Sequence, residues 1–532
     1  MSPSRKAWSL AYVVVMVASS YVYGGEPVFR LTFDEIGLSA DGKPIWPATW
    51  QMWPGAGFRP EESPAGGKCL RVDILPGDKE HGRYLRIPLD ASLIAGKRLR
   101  VSARIRAEDV SAPPNPWNGV KCMLQLVGET DTRWPQKNLP GGTFPWQGVV
   151  YVCEVPPDCR TAFLVLGLEQ VTGRAWFDDI LIEIIGSRRK TPPVAQAGPP
   201  FKGHALPRLR GAMIGPRVRN EDILEFGKVW GANHIRWQLI WDGFPHSPAD
   251  RASVDEYRRW LEGALQRLDA ALPACREAGI LVAVDLHTPP GGRNESAECR
   301  VFHDKQFQQA FLKIWEEIAA RYRNEPAVWG YDLMNEPVEG VVPDGLMNWQ
   351  QLAEETARRI RAIDPEHAII VEPPAWANPD ALDWFEPVPV PGVVYSVHMY
   401  IPHRFTHQGV HGNPTGVHYP GEVDGRHYDR QVLEAVLEPA VRFQRDYNVH
   451  IYIGEFSAIR WAPGDSAYRY LKDCIEIFEK HGWDWAYHAF REWHGWSVEH
   501  GPDPNQTTPV PFLTDRAQLL RSWFAKNEKP RF

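Results

Sequence analysis

The sequence predicts an α/β protein, a (β/α)8 TIM barrel domain preceded by an all-β jelly-roll sandwich. Three observations carry this. From Leu209 onward, apolar β-rich runs alternate with amphipathic helical stretches, and the unit repeats eight times. Alternation of this kind implies a parallel sheet, and eight repeats fit a closed barrel better than an open one. Before it, residues 26–186 carry short β-rich runs separated by Gly and Pro turns, the pattern of a sandwich. Between them lies 187–207, SRRKTPPVAQAGPPFKGHALP, proline-rich and without periodicity, which reads as a linker.

The elements follow in chain order. Residues 1–25 read as a signal peptide: Arg5 and Lys6 start it, 7–18 are apolar, and small residues follow at Ser19, Ser20, Gly24 and Gly25. No later segment has the ~18 apolar residues a membrane helix needs. The expected protein is therefore secreted or periplasmic, with no membrane association after cleavage. In the sandwich, strands are expected at 84–89, 99–105, 121–127, 149–155, 162–168 and 174–183. The last of these, RAWFDDILIE, resembles the closing strand of jelly-roll carbohydrate-binding modules. Trp46, Trp50, Trp53, Trp117, Trp134 and Trp146 could line a glycan groove there or pack its core.

The barrel domain, 208–532, has strand candidates at 209–214, 232–238, 281–287, 328–335, 368–372, 393–400, 451–457 and 484–490. Helices are expected between them at 221–230, 254–278, 305–323, 349–363, 429–447 and 465–481. The net charge of −7 gives no reason to expect nucleic acid as a partner, whereas 23 Trp and 17 Tyr suit stacking against sugar rings. Seven cysteines leave at least one thiol unpaired, and without a CxxC pair a zinc-thiolate site is not expected.

Chemistry gathers at strand ends. Five of the eight strands finish in polar or ionisable groups: Arg236, His287, Asn335 with Glu336, His398 with Tyr400, and Glu455. Ionisable groups at such positions are costly to bury unless they interact, and barrel enzymes place their chemistry at this end. Two carboxylates on the fourth and seventh strands would face each other across the mouth. Such a pair can cleave a glycosidic bond, one protonating the leaving oxygen while the other attacks carbon or activates water.

The stretch 328–337, VWGYDLMNEP, resembles the acid/base strand of glycoside hydrolase family 5, and 451–456, IYIGEF, resembles its nucleophile strand. His287, Arg236 and the His398-Met-Tyr400 triplet are similar to that family's third-, second- and sixth-strand residues. The resemblance implies Glu336 as acid/base and Glu455 as nucleophile in retaining hydrolysis of a β-glucan, β-mannan or related oligo- or polysaccharide. It implies that Arg236, His287, Asn335, His398 and Tyr400 line the substrate site; no cofactor is expected, and without Cys ligands or an HExxH helix no metal is expected either. Asp285 is expected behind His287. The eighth strand departs from the family, many of whose members place a tryptophan there as the floor of the −1 subsite. Here His488 or Phe490 takes the position, and Trp493 or Trp496 would have to supply the platform. The sixth loop carries six histidines, at 398, 403, 407, 411, 418 and 427, of which His403 or His407 could contact substrate. Pro402 and Gly409 argue against a helix there. Two rival readings stand: a glycan-binding protein that kept the barrel without turnover, and a metal-dependent barrel hydrolase whose activity chelators would abolish.

Overall fold

A computed structural model describes residues 26–532 apart from 42, 53–58, 64–65, 76–82, 130, 188–197, 216, 243–246, 344 and 411. The expected signal peptide, Trp53 and His411 lie outside the described residues. The chain divides into two compact units, Met1–Gly186 and Ser187–Phe532.

The first unit is a sandwich of two mainly antiparallel sheets. One runs Gly142–Glu154, Lys97–Val110, Gly173–Ser187, Lys68–Ile74 and Arg59–Glu62, with Glu26–Leu31 also on Gly173–Ser187. The other runs Thr132–Arg133, Gly119–Val127, Thr161–Glu169, Arg83–Leu89 and Gln51–Met52. Lys97–Val110 shows why the sequence pattern works: Leu99, Val101, Ala103, Ile105 and Ala107 are buried while their neighbours are not, the period of two of a half-buried strand. Trp46 and Trp50 pack against this core with ring centroids 5.9 Å apart, whereas Trp117 and Trp134 remain 57% and 45% exposed. Arg104 lies over the ring of Trp146.

The second unit is a closed barrel of eight parallel strands: Arg210–Ile214, His234–Gln238, Leu281–Asp285, Val328–Asp332, Ala368–Val371, Val393–Met399, Ile451–Phe456 and Asp484–Phe490. All eight expected strands are present, each within two or three residues of its expected bounds. The helix Val254–Ala278 starts at Ser253, whose side chain and that of Glu256 cap each other's backbone, and stops at Gly279 in the left-handed conformation. The fifth crossover holds no α-helix but a short 3-10 turn, Pro379–Asp383. Against expectation, a single helical turn, His403–Thr406, does follow Pro402; one turn is all that fits before Gly409. Residues 198–207 pack on the barrel, the Lys202 carbonyl accepting from Trp329 Nε1 and His204 meeting Asp484 at 2.8 Å.

The barrel interior is layered. Leu281, Ala283, Trp329, Ala368, Ile370, Val394, Tyr452 and Ala486 form an apolar plug, and the carboxylates and histidines described next lie at or near the strands' C-terminal ends. Among the described residues, no helix is long and apolar enough to cross a membrane.

Candidate active site

Arg236, on the second strand, organises the mouth of the barrel. Its guanidinium is wholly buried, which alone would strip its charge, yet it stands among four carboxylates that hold it protonated. Nη1 donates to Glu455 Oε1 at 2.7 Å, Nη2 to Glu372 Oε1 at 2.8 Å and Asn335 Oδ1 at 3.1 Å, and Nε to Asp332 Oδ2 at 2.9 Å. Asp285 Oδ1 lies 3.2 Å from Nη2. Only a planar fork with five donors can serve so many acceptors at once. Burial pushes the Asp332 carboxyl well above the usual carboxylate range in spite of Arg236, with Glu372 and Asp285 adding to the effect.

Glu455 projects from the seventh strand, its side chain 5% exposed. Oε1 takes the Arg236 bond, and Oε2 accepts from Tyr400 Oη at 2.8 Å. His488 Nδ1 lies 3.5 Å and His398 Nδ1 3.9 Å from Oε2. Burial favours the neutral acid, but the charges of His398, His488, Arg236 and His287 outweigh it and hold this carboxyl far below its usual range. Gly454, just before it, has to be glycine: a Cβ there would stand 2.6 Å from Ser396 Oγ and 3.0 Å from His398 Nε2.

Glu336 sits beyond the fourth strand in the left-handed region, φ 48°, with its side chain 20% exposed. For glutamate this backbone costs on the order of 1–3 kcal/mol, and two bonds hold it. Its N–H donates to Glu372 Oε2 at 2.6 Å, and its carbonyl accepts from Arg293 Nη2 at 2.9 Å. Its Oε1 meets His398 Nδ1 at 2.9 Å. One oxygen each of Glu336 and Glu455 and a ring nitrogen of His398 lie within 4.8 Å of one another. A cation at these three atoms would have to break the His398–Glu336 bond and share a Glu455 oxygen with Arg236 or Tyr400.

Six of the eight residues expected in the site therefore meet around one hub or at its rim: Arg236, Asn335, Glu336, His398, Tyr400 and Glu455. Arg236 and His398 form the wall behind the site, their side chains 0% and 2% exposed. His287 stands a strand away, partly exposed, its Nδ1 on Asp285 Oδ2 at 2.8 Å. Trp493 lies further out. Its ring meets Trp461 and Trp496, whereas Trp496 packs against Tyr400 and His488 at 6.2 and 5.5 Å between centroids. His488 occupies the eighth-strand position, its Nδ1 2.5 Å from Tyr400 Oη and its Nε2 3.3 Å from Glu492 Oε2. Burial opposes its charge, but Glu492 and Glu455 raise its pKa nonetheless. This position thus carries a largely buried imidazole with Trp496 packed against it. In the sixth loop His403 and His407 stack at 3.9 Å, and His407 reaches Tyr400 and Trp496.

Sequence reasoning passed over Glu372, which follows the fifth strand and touches Arg236, His398 and Glu336. The signal was there: it is an ionisable residue closing an apolar strand, the same cue that found the other strand ends. Glu492, which accepts from Gln238 Nε2 at 2.8 Å, lies in a loop with no such cue.

Residues 194–496 match the cellulase family, glycosyl hydrolase family 5. The chain is 28% identical over 277 residues to endoglucanase C of Acetivibrio thermocellus, covering 47% of this chain and 78% of that protein. It is 26% identical over 273 residues to cellodextrinase A of Ruminococcus flavefaciens, covering 50% and 76%. A solved glycoside hydrolase structure aligns with a TM-score of 0.48 at 23% identity, covering 59% of this chain and 99% of that one. The match spans the barrel and both carboxylate strands, and the chain belongs to glycosyl hydrolase family 5, as a glycoside hydrolase acting on β-glycans with retention.

Proposed function

We propose that Glu455 is the nucleophile and Glu336 the acid/base of this hydrolysis. In the first step Glu455 Oε attacks the anomeric carbon while the C–O bond to the leaving group breaks and Glu336 protonates the departing oxygen. In the second, Glu336 takes a proton from water, whose oxygen displaces Glu455 and restores the starting configuration. The observation that carries this reading is the asymmetry between the two carboxylates. Glu455 has two hydrogen-bond donors and surrounding cations that keep it ionised, as a nucleophile requires. Glu336 is the more exposed, with its carboxyl on a histidine, as a group that exchanges protons requires. Oxygens within 4.8 Å of each other suit the roughly 5 Å carboxyl spacing of retaining enzymes, and inverting ones need about 6.5 Å or more.

His287 and Asn335 are the side chains we assign to the −1 sugar, with His488 beneath it and Trp493 further along the cleft. The substrate we assign is a β-glucan or β-mannan oligo- or polysaccharide, in keeping with the relatives named endoglucanase and cellodextrinase. Incubation with a 2-deoxy-2-fluoro β-glycoside carrying a dinitrophenolate leaving group should trap a glycosyl ester, and mass spectrometry should find it on the peptide containing Glu455. An ester on any other residue would refute the assignment, and so would products of inverted anomeric configuration seen by proton NMR.

A further inference from the structure

Glu372 is fully buried and presents no surface to a substrate, yet it touches both halves of the catalytic machinery. Oε1 accepts from Arg236 Nη2 at 2.8 Å and lies 3.1 Å from His398 Nε2. Oε2 accepts the backbone N–H of Glu336 at 2.6 Å. Arg236 in turn holds Glu455, and His398 Nδ1 faces Glu336 Oε1 at 2.9 Å. We propose that Glu372 is a positioning residue: it fixes a hydrogen on Nε2 of His398, so that Nδ1 and the Glu336 carboxyl share the proton that catalysis moves. This rests on Glu336 being the acid/base.

The argument is one of donors and acceptors. Both oxygens of Glu372 already accept, Oε1 from a guanidinium and Oε2 from an amide N–H, so Oε1 faces Nε2 as an acceptor. A ring nitrogen 3.1 Å from such an oxygen must carry hydrogen, because two lone pairs would repel. With Nε2 so fixed, the 2.9 Å contact at Nδ1 needs one proton between its two atoms. That proton sits on Glu336 beside a neutral imidazole or on Nδ1 beside a glutamate, and the two forms carry the same total charge. When the glycosidic bond breaks, the pair gives this proton to the leaving oxygen. When water attacks the glycosyl ester, the pair takes one proton back.

The surroundings favour retention of the proton. Glu336, Glu372 and Glu455 face His398 directly, and Arg236 and Tyr400 face it across those carboxylates. Burial works against a charged imidazole, but the charges of Glu372 and Glu455 and the bonds to Glu336 and Glu372 outweigh it, holding His398 protonated well above its usual range.

Glu372→Gln keeps the shape and removes the charge. The basic limb of its kcat/KM profile should fall by about one pH unit or more. Turnover of a glycoside with a poor leaving group should drop on the order of 10²-fold, and that of a 2,4-dinitrophenyl glycoside, which needs little protonation, less than about 10-fold. Equal loss on both substrates with an unmoved limb would overturn the inference. Nitrogen-15 NMR of histidine-labelled wild type gives a readout independent of the variant's folding: His398 Nε2 should be protonated throughout about pH 5 to 8, and an unprotonated Nε2 would overturn it too. Glu336→Ala, run alongside, separates the two layers. If azide restores its turnover of the dinitrophenyl glycoside and Glu372→Gln shows neither change, only the role of Glu372 falls; if azide does not, the acid/base assignment falls with it.

Discussion

Glu455→Gln should lower kcat on a β-glucan oligosaccharide by on the order of 10⁴-fold or more, because an amide cannot form the glycosyl ester through which the reaction passes. The loss should be the same for good and poor leaving groups, which distinguishes it from a lesion in proton transfer. The variant should also be less stable than wild type at neutral pH. The folded-state pKa of Glu455 is depressed, so its ionised form stabilises the fold above the ordinary carboxylate range, and that contribution disappears only as pH falls through the depressed value. The stability difference should therefore persist through the usual carboxylate range, about pH 4 to 5. Wild-type-like turnover in Glu455→Gln would remove it from the mechanism altogether.

The largest effect on folding is expected from Arg236→Met. Methionine fills similar volume but leaves Glu455, Glu372, Asp332 and Asp285 buried together without their common cation. Breaking a buried pair by removing one partner costs about 3–5 kcal/mol, and here one partner serves four. Denaturant unfolding followed by tryptophan fluorescence should show the barrel transition moved by at least that much, or lost. Arg236→Lys should recover part of the stability but little activity, since a point charge cannot reproduce the planar fork. A stability change below about 1 kcal/mol in Arg236→Met would mean that the carboxylates neutralise themselves by protonation.

Much of this was legible because local signals agreed with the fold. The helix expected at 254–278 has those bounds in the structure, where Ser253 and Glu256 form a capping box and Gly279 ends it. The barrel strands were read from apolar runs closing in polar residues, and the same cue placed Glu336, Glu455 and their neighbours. The fifth crossover was harder. Pro373, Pro374 and Pro379 withhold backbone N–H groups, so the chain crosses with a 3-10 turn where the repeat suggests a helix. The hairpin of Gly421–Val423 and Arg426–Tyr428 turns at Asp424-Gly425, both at positive φ; this dipeptide favours a tight hairpin but was masked by the surrounding histidines. The hub itself was not legible, since contacts among the second, fourth, fifth, sixth and seventh strand ends arise only when the sheet closes. Sequence could give Arg236 a place on a strand but not four carboxylates.

All seven thiols are buried, four in the sandwich unit and three in the barrel unit. Burial pushes Cys122, Cys153 and Cys275 up to about 12, so these sulfurs are both shielded and un-ionised at neutral pH. The folded protein consequently carries its own reporters of opening. A brief pulse of alkylating reagent should leave the native chain unmarked. On a heating series, marks at Cys69, Cys122, Cys153 and Cys159 would time the opening of one unit, and marks at Cys275, Cys299 and Cys474 that of the other. Two separated onsets would mean two independently melting bodies, and a single onset would mean that they unfold as one.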